Sequence, residues 1–143
     1  MAVLAVMFSR KSHDLASASP ERLATHAKEK ADAYARDHEK ATGEKLDFGR
    51  ATLKAIDTVL ERNYAKNTLS DPTIEEMGFY LGEVIRRTFG GDWRYNEGFK
   101  ELCIAHPQEG FIFPVSQIRR ALEQKSTDHV QSYFDSIAER VKS

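Results

Sequence analysis

Cys103 and His106 stand three residues apart, the closest thiol and imidazole along the chain, and such a pair could form a thiolate nucleophile with its base. The spacing argues against it. Side chains alternate between faces along a strand, so positions 103 and 106 fall on opposite sides, and His106 sits at a turn beside Pro107. Flanked by Leu102 and Ile104, Cys103 reads instead as a small buried apolar side chain. The five histidines, His13, His26, His38, His106 and His129, are scattered over different segments without the local pairing usual among metal ligands. The sequence has no glycine-rich loop ending in Lys-Ser or Lys-Thr, no histidine pair four apart on a helix, and no serine in a nucleophile elbow. No cofactor and no metal are expected.

Carboxylates offer the other route to chemistry. Glu75, Glu76 and Glu83 fall in one helical stretch, and Glu76 and Glu83 are seven apart, on a similar side. Such a pair could do acid-base work, although a solvated pair is the commoner meaning. Glu83 is followed at i+3 and i+4 by Arg86 and Arg87, the spacing of a local ion pair. Two readings remain: a helix face laced with charge, or an arginine patch that binds a partner. Trp93, Arg94 and Tyr95 interleave aromatic and basic residues just beyond it, which makes Glu83, Arg86, Arg87, Trp93 and Tyr95 the candidate partner-binding set.

The same pattern, with Arg119 and Arg120, could suggest nucleic acid. However, Glu83, Asp92, Glu97 and Glu123 sit among these positive charges. The chain carries 21 Lys and Arg against 22 Asp and Glu, with no concentrated positive field, and phosphate affinity needs one.

These residues must be positioned by a chain of 143 residues, the size of one domain. Ser19 and Pro20 start a first helix that runs to Thr42 and stops at Gly43. Its inward stripe, Leu23, Ala27, Ala31, Tyr34 and His38, is mostly methyl-sized. So small an apolar area predicts a loosely held helix, or one covered by a second copy of the chain. Asp47 is expected to cap a second helix through Tyr64, with Leu53, Ile56, Val59, Leu60 and Tyr64 inward. Asp71 and Pro72 open a third, the most apolar, ending at Gly90 and Gly91.

Trp93 and Tyr95, residues 99–105 and residues 111–113 then form β-prone runs joined too tightly for parallel crossovers. Pro114 ends the last run. Ser116 begins a short helix, and Ser126 or Thr127 caps a terminal one. The segregated order predicts an α+β fold, helix-rich, with helices packed on a small three-stranded antiparallel meander. It is expected to be a single domain, with an N-terminal segment and long polar helix over residues 1–45 and a compact core over 46–143. Residues 2–8, apolar throughout, read as a short strand or a docking segment.

Residues 78–93 run Gly-Phe-Tyr-Leu-Gly-Glu-Val-Ile-Arg-Arg-Thr-Phe-Gly-Gly-Asp-Trp. This stretch resembles the signature of a bacterial family of small α+β domains of unknown function, in which a Gly-aromatic-Leu-Gly-Glu-Val helix leads through a glycine turn into a strand starting near a tryptophan. The likeness continues more loosely through residues 111–114 and the two helices after them, about half the chain; residues 1–45 lie outside it. It implies the fold and carries no activity, cofactor or catalytic residue.

Independently of that likeness, Gly78 and Gly82 leave a flat strip on the most apolar helix, at a cost of about 1 kcal/mol each against alanine. Internal packing is the plainer compensation; a ligand cleft or partner groove is the other.

A single cysteine precludes an intrachain disulfide and suits a reducing compartment. Arg10 and Lys11 follow the apolar opening, where a secretory signal has its charge first. No apolar run approaches the roughly 20 residues of a membrane span. The expectation is a non-catalytic cytoplasmic protein-interaction domain of immunity or adaptor type. Its rival is an enzyme or small-ligand binder with a site beside the Gly78 and Gly82 strip.

Overall fold

Ser19 accepts a hydrogen bond from the Arg22 amide (3.2 Å), and Gly43 takes up a left-handed conformation (φ 79°). Between these signals runs helix α1, Pro20–Thr42. The computed structural model describes residues 15–66 and 68–142, so the strand or docking segment expected over residues 2–8 lies outside the described residues. A 3-10 turn, Arg50–Thr52, leads into α2, Leu53–Asn63; α3 follows over Asp71–Phe89. Strands β1 (Asp92–Asn96), β2 (Glu101–His106) and β3 (Gly110–Ile112) form an antiparallel meander in that order. Helices α4, Pro114–Gln124, and α5, His129–Lys142, close the order. The fold is α+β and helix-rich, as the pattern predicts.

Several boundaries differ from those expectations, each for a local reason. Asp47 does not cap α2: its carboxylate accepts from the Gly49 amide (3.0 Å), forming a turn at Phe48 (φ 66°) before the 3-10 turn. Ser70, one residue before Asp71, caps α3 by accepting from the Thr73 amide (3.3 Å). Pro114 begins α4 instead of merely ending a strand, and Glu101 takes the Ser116 amide (3.2 Å) and hydroxyl (2.9 Å). Phe99 lies in the turn between β1 and β2 rather than in a strand.

The start of α5 is secured from another helix. Neither Ser126 nor Thr127 supplies the expected cap. Asp57, buried on α2, accepts from the Val130 amide (2.9 Å), the Gln131 amide (3.0 Å) and the Gln131 side chain (2.9 Å). Those amides have no partner within their own helix, so a carboxylate placed there satisfies donors and faces the positive helix end. Asp57→Ala is expected to cost about 2 kcal/mol, because it removes a cap and strands two amides. Urea unfolding followed by circular dichroism measures it; a loss under about 0.5 kcal/mol would mean that water replaces the carboxylate.

Helix α1 belongs to the core instead of lying beside it. Leu23, Ala27, Ala31 and Tyr34 are buried and join one continuous cluster that reaches Ile137. α1 packs along α3, and its small side chains let the two backbones come close. The division at residue 45 therefore does not describe the packing. Nor does the alanine stripe remain as a surface for a second copy, since the chain itself buries it.

The register sorts the sheet into two faces. Trp93 lies opposite Ile104 and Tyr95 opposite Leu102, and these face the helices with His106 and Ile112. The alternate set, Asp92, Arg94, Asn96, Glu101, Cys103, Ala105 and Phe111, points to the other side.

Candidate functional site

Glu83 stands within the most apolar run of α3, Tyr80-Leu81-Gly82-Glu83-Val84-Ile85, and is buried (1% exposed). The solvated face expected for it is not what forms. One carboxylate oxygen accepts from Arg86 Nε (2.7 Å) and from the Trp93 indole N–H (2.8 Å). The other accepts from Arg86 Nη2 and Arg87 Nε, each at 3.2 Å. Four donors thus satisfy a carboxylate that water cannot reach. Burial alone would raise its pKa. The hydrogen bonds from Arg86 and Trp93, with the charges of Arg86 and Arg87, outweigh burial and hold it below the usual carboxylate range.

The helical spacing and the Gly90-Gly91 turn together build this cluster. Arg86 and Arg87 reach back by i+3 and i+4, and the turn at Gly90 (φ 90°) and Gly91 (φ 105°) returns the chain so that Trp93 lies against α3. Each arginine keeps about a third of its side chain exposed. The Arg87 guanidinium also lies over the Phe48 ring at 3.8 Å from its centroid, a cation–π contact. Phe48 stacks on Tyr80 (4.6 Å), whose hydroxyl accepts from the Phe48 amide (3.0 Å) and contacts Thr52 Oγ1 (2.7 Å). The support that Phe48 and Tyr80 give Arg87 has no local sequence signal, because the two positions lie 32 apart along the chain.

Of the five expected partner-binding residues, Glu83, Arg86, Arg87 and Trp93 therefore meet. Glu83 and Trp93 are buried and support the arginines from beneath. Tyr95 stands apart, lining a groove of about 200 Å³ with Leu15, His26, Phe79 and Val115. Glu76 forms no acid-base pair with Glu83, which lies two turns along, about 10 Å up the axis. Burial holds the Glu76 carboxyl above its ordinary range, with Asp37 adding to the effect.

The glycine strip is filled. An added Cβ at Gly78 would lie 2.5 Å from Val115 Cγ2, and one at Gly82 would lie 2.3 Å from Trp93 Cη2. The start of α4 and the Trp93 ring occupy the strip, so the ligand cleft entertained there does not exist. A cleft of about 900 Å³ opens elsewhere, between the end of α2, the start of α3 and α4. Arg119, Arg120 and Lys125 meet Asp71 and Glu123 along it, and Arg119 pairs with Asp71 (3.3 Å).

Cys103 and His106 lie on opposite faces of β2 and do not form a catalytic pair. His106 accepts at Nδ1 from the Gln108 (3.1 Å) and Glu109 (3.2 Å) amides, which leaves Nε2–H to donate to the Phe89 carbonyl (3.1 Å). The ring ties the β2–β3 turn to the end of α3. Cys103 is buried, and burial pushes its thiol pKa up. Native protein is expected to resist a thiol reagent at neutral pH and to react once unfolded. Rapid labelling of the folded chain would contradict a buried neutral thiol.

Among the described residues, no group of three or more His, Cys, Asp and Glu side chains could hold a metal ion. No described helix is long and apolar enough to cross a membrane. Comparison of the chain with family models, curated proteins and solved structures finds no match.

Proposed function

We propose that this chain is a non-catalytic protein-interaction domain of immunity or adaptor type, cytoplasmic in keeping with its single thiol, and that Arg86 and Arg87 are its contact residues. The observation that carries this reading is the buried Glu83 carboxylate, which fixes two arginine side chains, each about one-third exposed, in place. Holding a long side chain before binding removes much of the rotamer entropy it would otherwise lose, so anchored arginines make effective interface anchors. Arg87 presents the stronger case, since Phe48 supports its planar group from one side. A carboxylate on the partner is the matching chemistry, because a guanidinium offers donors beyond those Glu83 uses.

Affinity capture with the unmodified chain and with Arg87→Ser, compared by mass spectrometry, tests the reading. A partner retained by the first and lost by the second, with both chains equally folded, supports it. Partners that bind both chains equally well would exclude Arg87 from the contact.

A second reading, a small-ligand binder, is favoured by the 900 Å³ cleft with Arg119, Arg120 and Lys125 on its wall. Its volume lies within the range of small-molecule sites. Backbone NMR shifts at Ser116 and Arg120 on titration with small dicarboxylates or phosphate esters distinguish it from the first.

A further inference from the structure

Asp57 takes the Val130 and Gln131 amides, so the Ser126 hydroxyl is left to another group. Ser126 Oγ lies 3.3 Å from His129 Nδ1, and His129 Nε2 lies 3.2 Å from Gln117 Oε1. The Gln117 oxygen can only accept, so the ring carries its proton at Nε2 and offers the Nδ1 lone pair to the Ser126 hydroxyl. A nucleophile, its base and a group that orients the base thus stand in sequence, the arrangement that activates a hydroxyl. All three line one open cavity of about 400 Å³ between α4 and α5.

The backbone around this pair is tied to α2. The Tyr64 hydroxyl donates to the Ser126 carbonyl, and Glu61 accepts from the Asp128 amide (3.2 Å). Burial holds the His129 imidazole below its ordinary range; Asp57 on α2 opposes this and Arg120 on α4 adds to it. The ring is therefore neutral near pH 7, the form that can take a proton. Arg120 lines the same cavity and has no ion-pair partner among the described residues. Its guanidinium is open to an anion.

We propose that Ser126 is an acyl-acceptor site, whose hydroxyl is activated by His129 and takes the acyl group of an acyl phosphate held through its phosphate by Arg120. Ser126 Oγ bonds to the carbonyl carbon, and the bond from that carbon to the phosphate oxygen breaks. The hydroxyl proton passes to His129 Nδ1 and on to the departing group, which leaves as hydrogen phosphate, so the ring returns to its neutral form. An anionic leaving group is the donor chemistry that an unpaired guanidinium selects. Ser126 is consumed once per chain, so the step is a modification and not turnover. It does not depend on the Arg86 and Arg87 contact proposed above.

Acetyl phosphate, added to the native chain at neutral pH, is the probe. Mass spectrometry of the peptide that trypsin releases after Lys125 reads Ser126, Ser132 and Ser136 together, and the two serines on α5 line the same cavity. Acetyl is expected to form on Ser126 at least about tenfold faster than on either of them. His129→Gln is expected to slow it about a hundredfold, the low end for a positioned base, with an unchanged circular dichroism spectrum. Equal rates at the three serines, or an equal rate in His129→Gln, would overturn the proposal. So would phosphate found on Ser126 in place of acetyl.

A pH profile supplies the second measurement. The Ser126 rate is expected to rise as His129 loses its proton and then level off, and His129→Gln should lack that inflection. Gln117→Leu keeps both reacting groups and removes the one that fixes the ring, so it should slow acetylation, while Gln117→Glu restores it. Arg120→Gln should raise the acetyl phosphate concentration that gives half the maximal rate and leave the rate with neutral p-nitrophenyl acetate unchanged. A profile without inflection in the original chain would remove His129 from the step, and equal Arg120→Gln behaviour with both donors would remove Arg120; either overturns the proposal.

Discussion

Glu83→Ala is expected to lower stability by about 3 to 5 kcal/mol, the range for removing one partner of a buried ion pair. Most of that loss falls on two terms. The Trp93 indole N–H loses its acceptor inside the fold, at about 1 to 3 kcal/mol for an unsatisfied buried donor, and the missing side chain leaves a cavity. Arg86 and Arg87 are partly exposed and recover water, so they add less than fully buried charges would.

Glu83→Gln separates charge from shape. Its amide oxygen can still accept from Trp93, while its NH2 group opposes arginine donors. Because the folded carboxyl titrates below its ordinary value, its stabilising charge is fully present above the unfolded carboxylate pKa of about 4.3 and is lost as pH falls through the lower folded value. The gap between the original chain and Glu83→Gln should therefore be widest near neutrality and close on acidification. Guanidinium unfolding at a series of pH values reads it. A gap unchanged from pH 7 to pH 3 would mean that Glu83 is not ionised in the folded chain.

The legible part of this fold is the part encoded over short separations. Ser19 with Pro20, and Gly43, mark α1 because a cap and its amides lie within one turn of each other. Leu53, Ile56 and Leu60 mark the inward face of α2 because helical spacing is local. The i+3 and i+4 spacing exposes the ion pairs of Glu83 as well. Its burial is harder to read, because a charged residue ordinarily marks solvent; the one signal is that Glu83 interrupts an otherwise apolar run.

Asp57 had no comparable signal: its amide partners Val130 and Gln131 lie more than 70 positions along the chain. The firm packing of the α1 stripe is hidden for a different reason. Area per residue is small for Ala27 and Ala31, yet both are fully buried against a neighbour that fits them, and close packing contributes dispersion energy that side-chain size alone does not reveal.

Gly78→Ala is expected to destabilise the fold by about 3 kcal/mol, at the upper end for overpacking, despite alanine's advantage of about 1 kcal/mol inside a helix. The reason is what the new methyl would meet. It would lie 2.6 Å from Val115 Cα and 2.9 Å from Val115 N, backbone atoms at the start of α4 that cannot rotate aside. Relief requires α4 to move away from α3, and with it Glu101, which holds the Ser116 amide.

Gly82→Ala meets the Trp93 ring at 2.3 Å and Pro114 Cγ at 3.0 Å. That ring is anchored through its indole N–H to Glu83, so it can tilt only by straining this bond; about 1 to 3 kcal/mol is expected, and Gly82→Leu should cost more. Glu75→Ala, on the exposed side of the same helix, serves as the control and should change little. Thermal melts decide between the outcomes, a loss of 3 kcal/mol corresponding to roughly 10 °C for a chain of this size. A midpoint for Gly78→Ala equal to or above that of the original chain would show that helix propensity wins, and that α3 and α4 do not touch at Gly78.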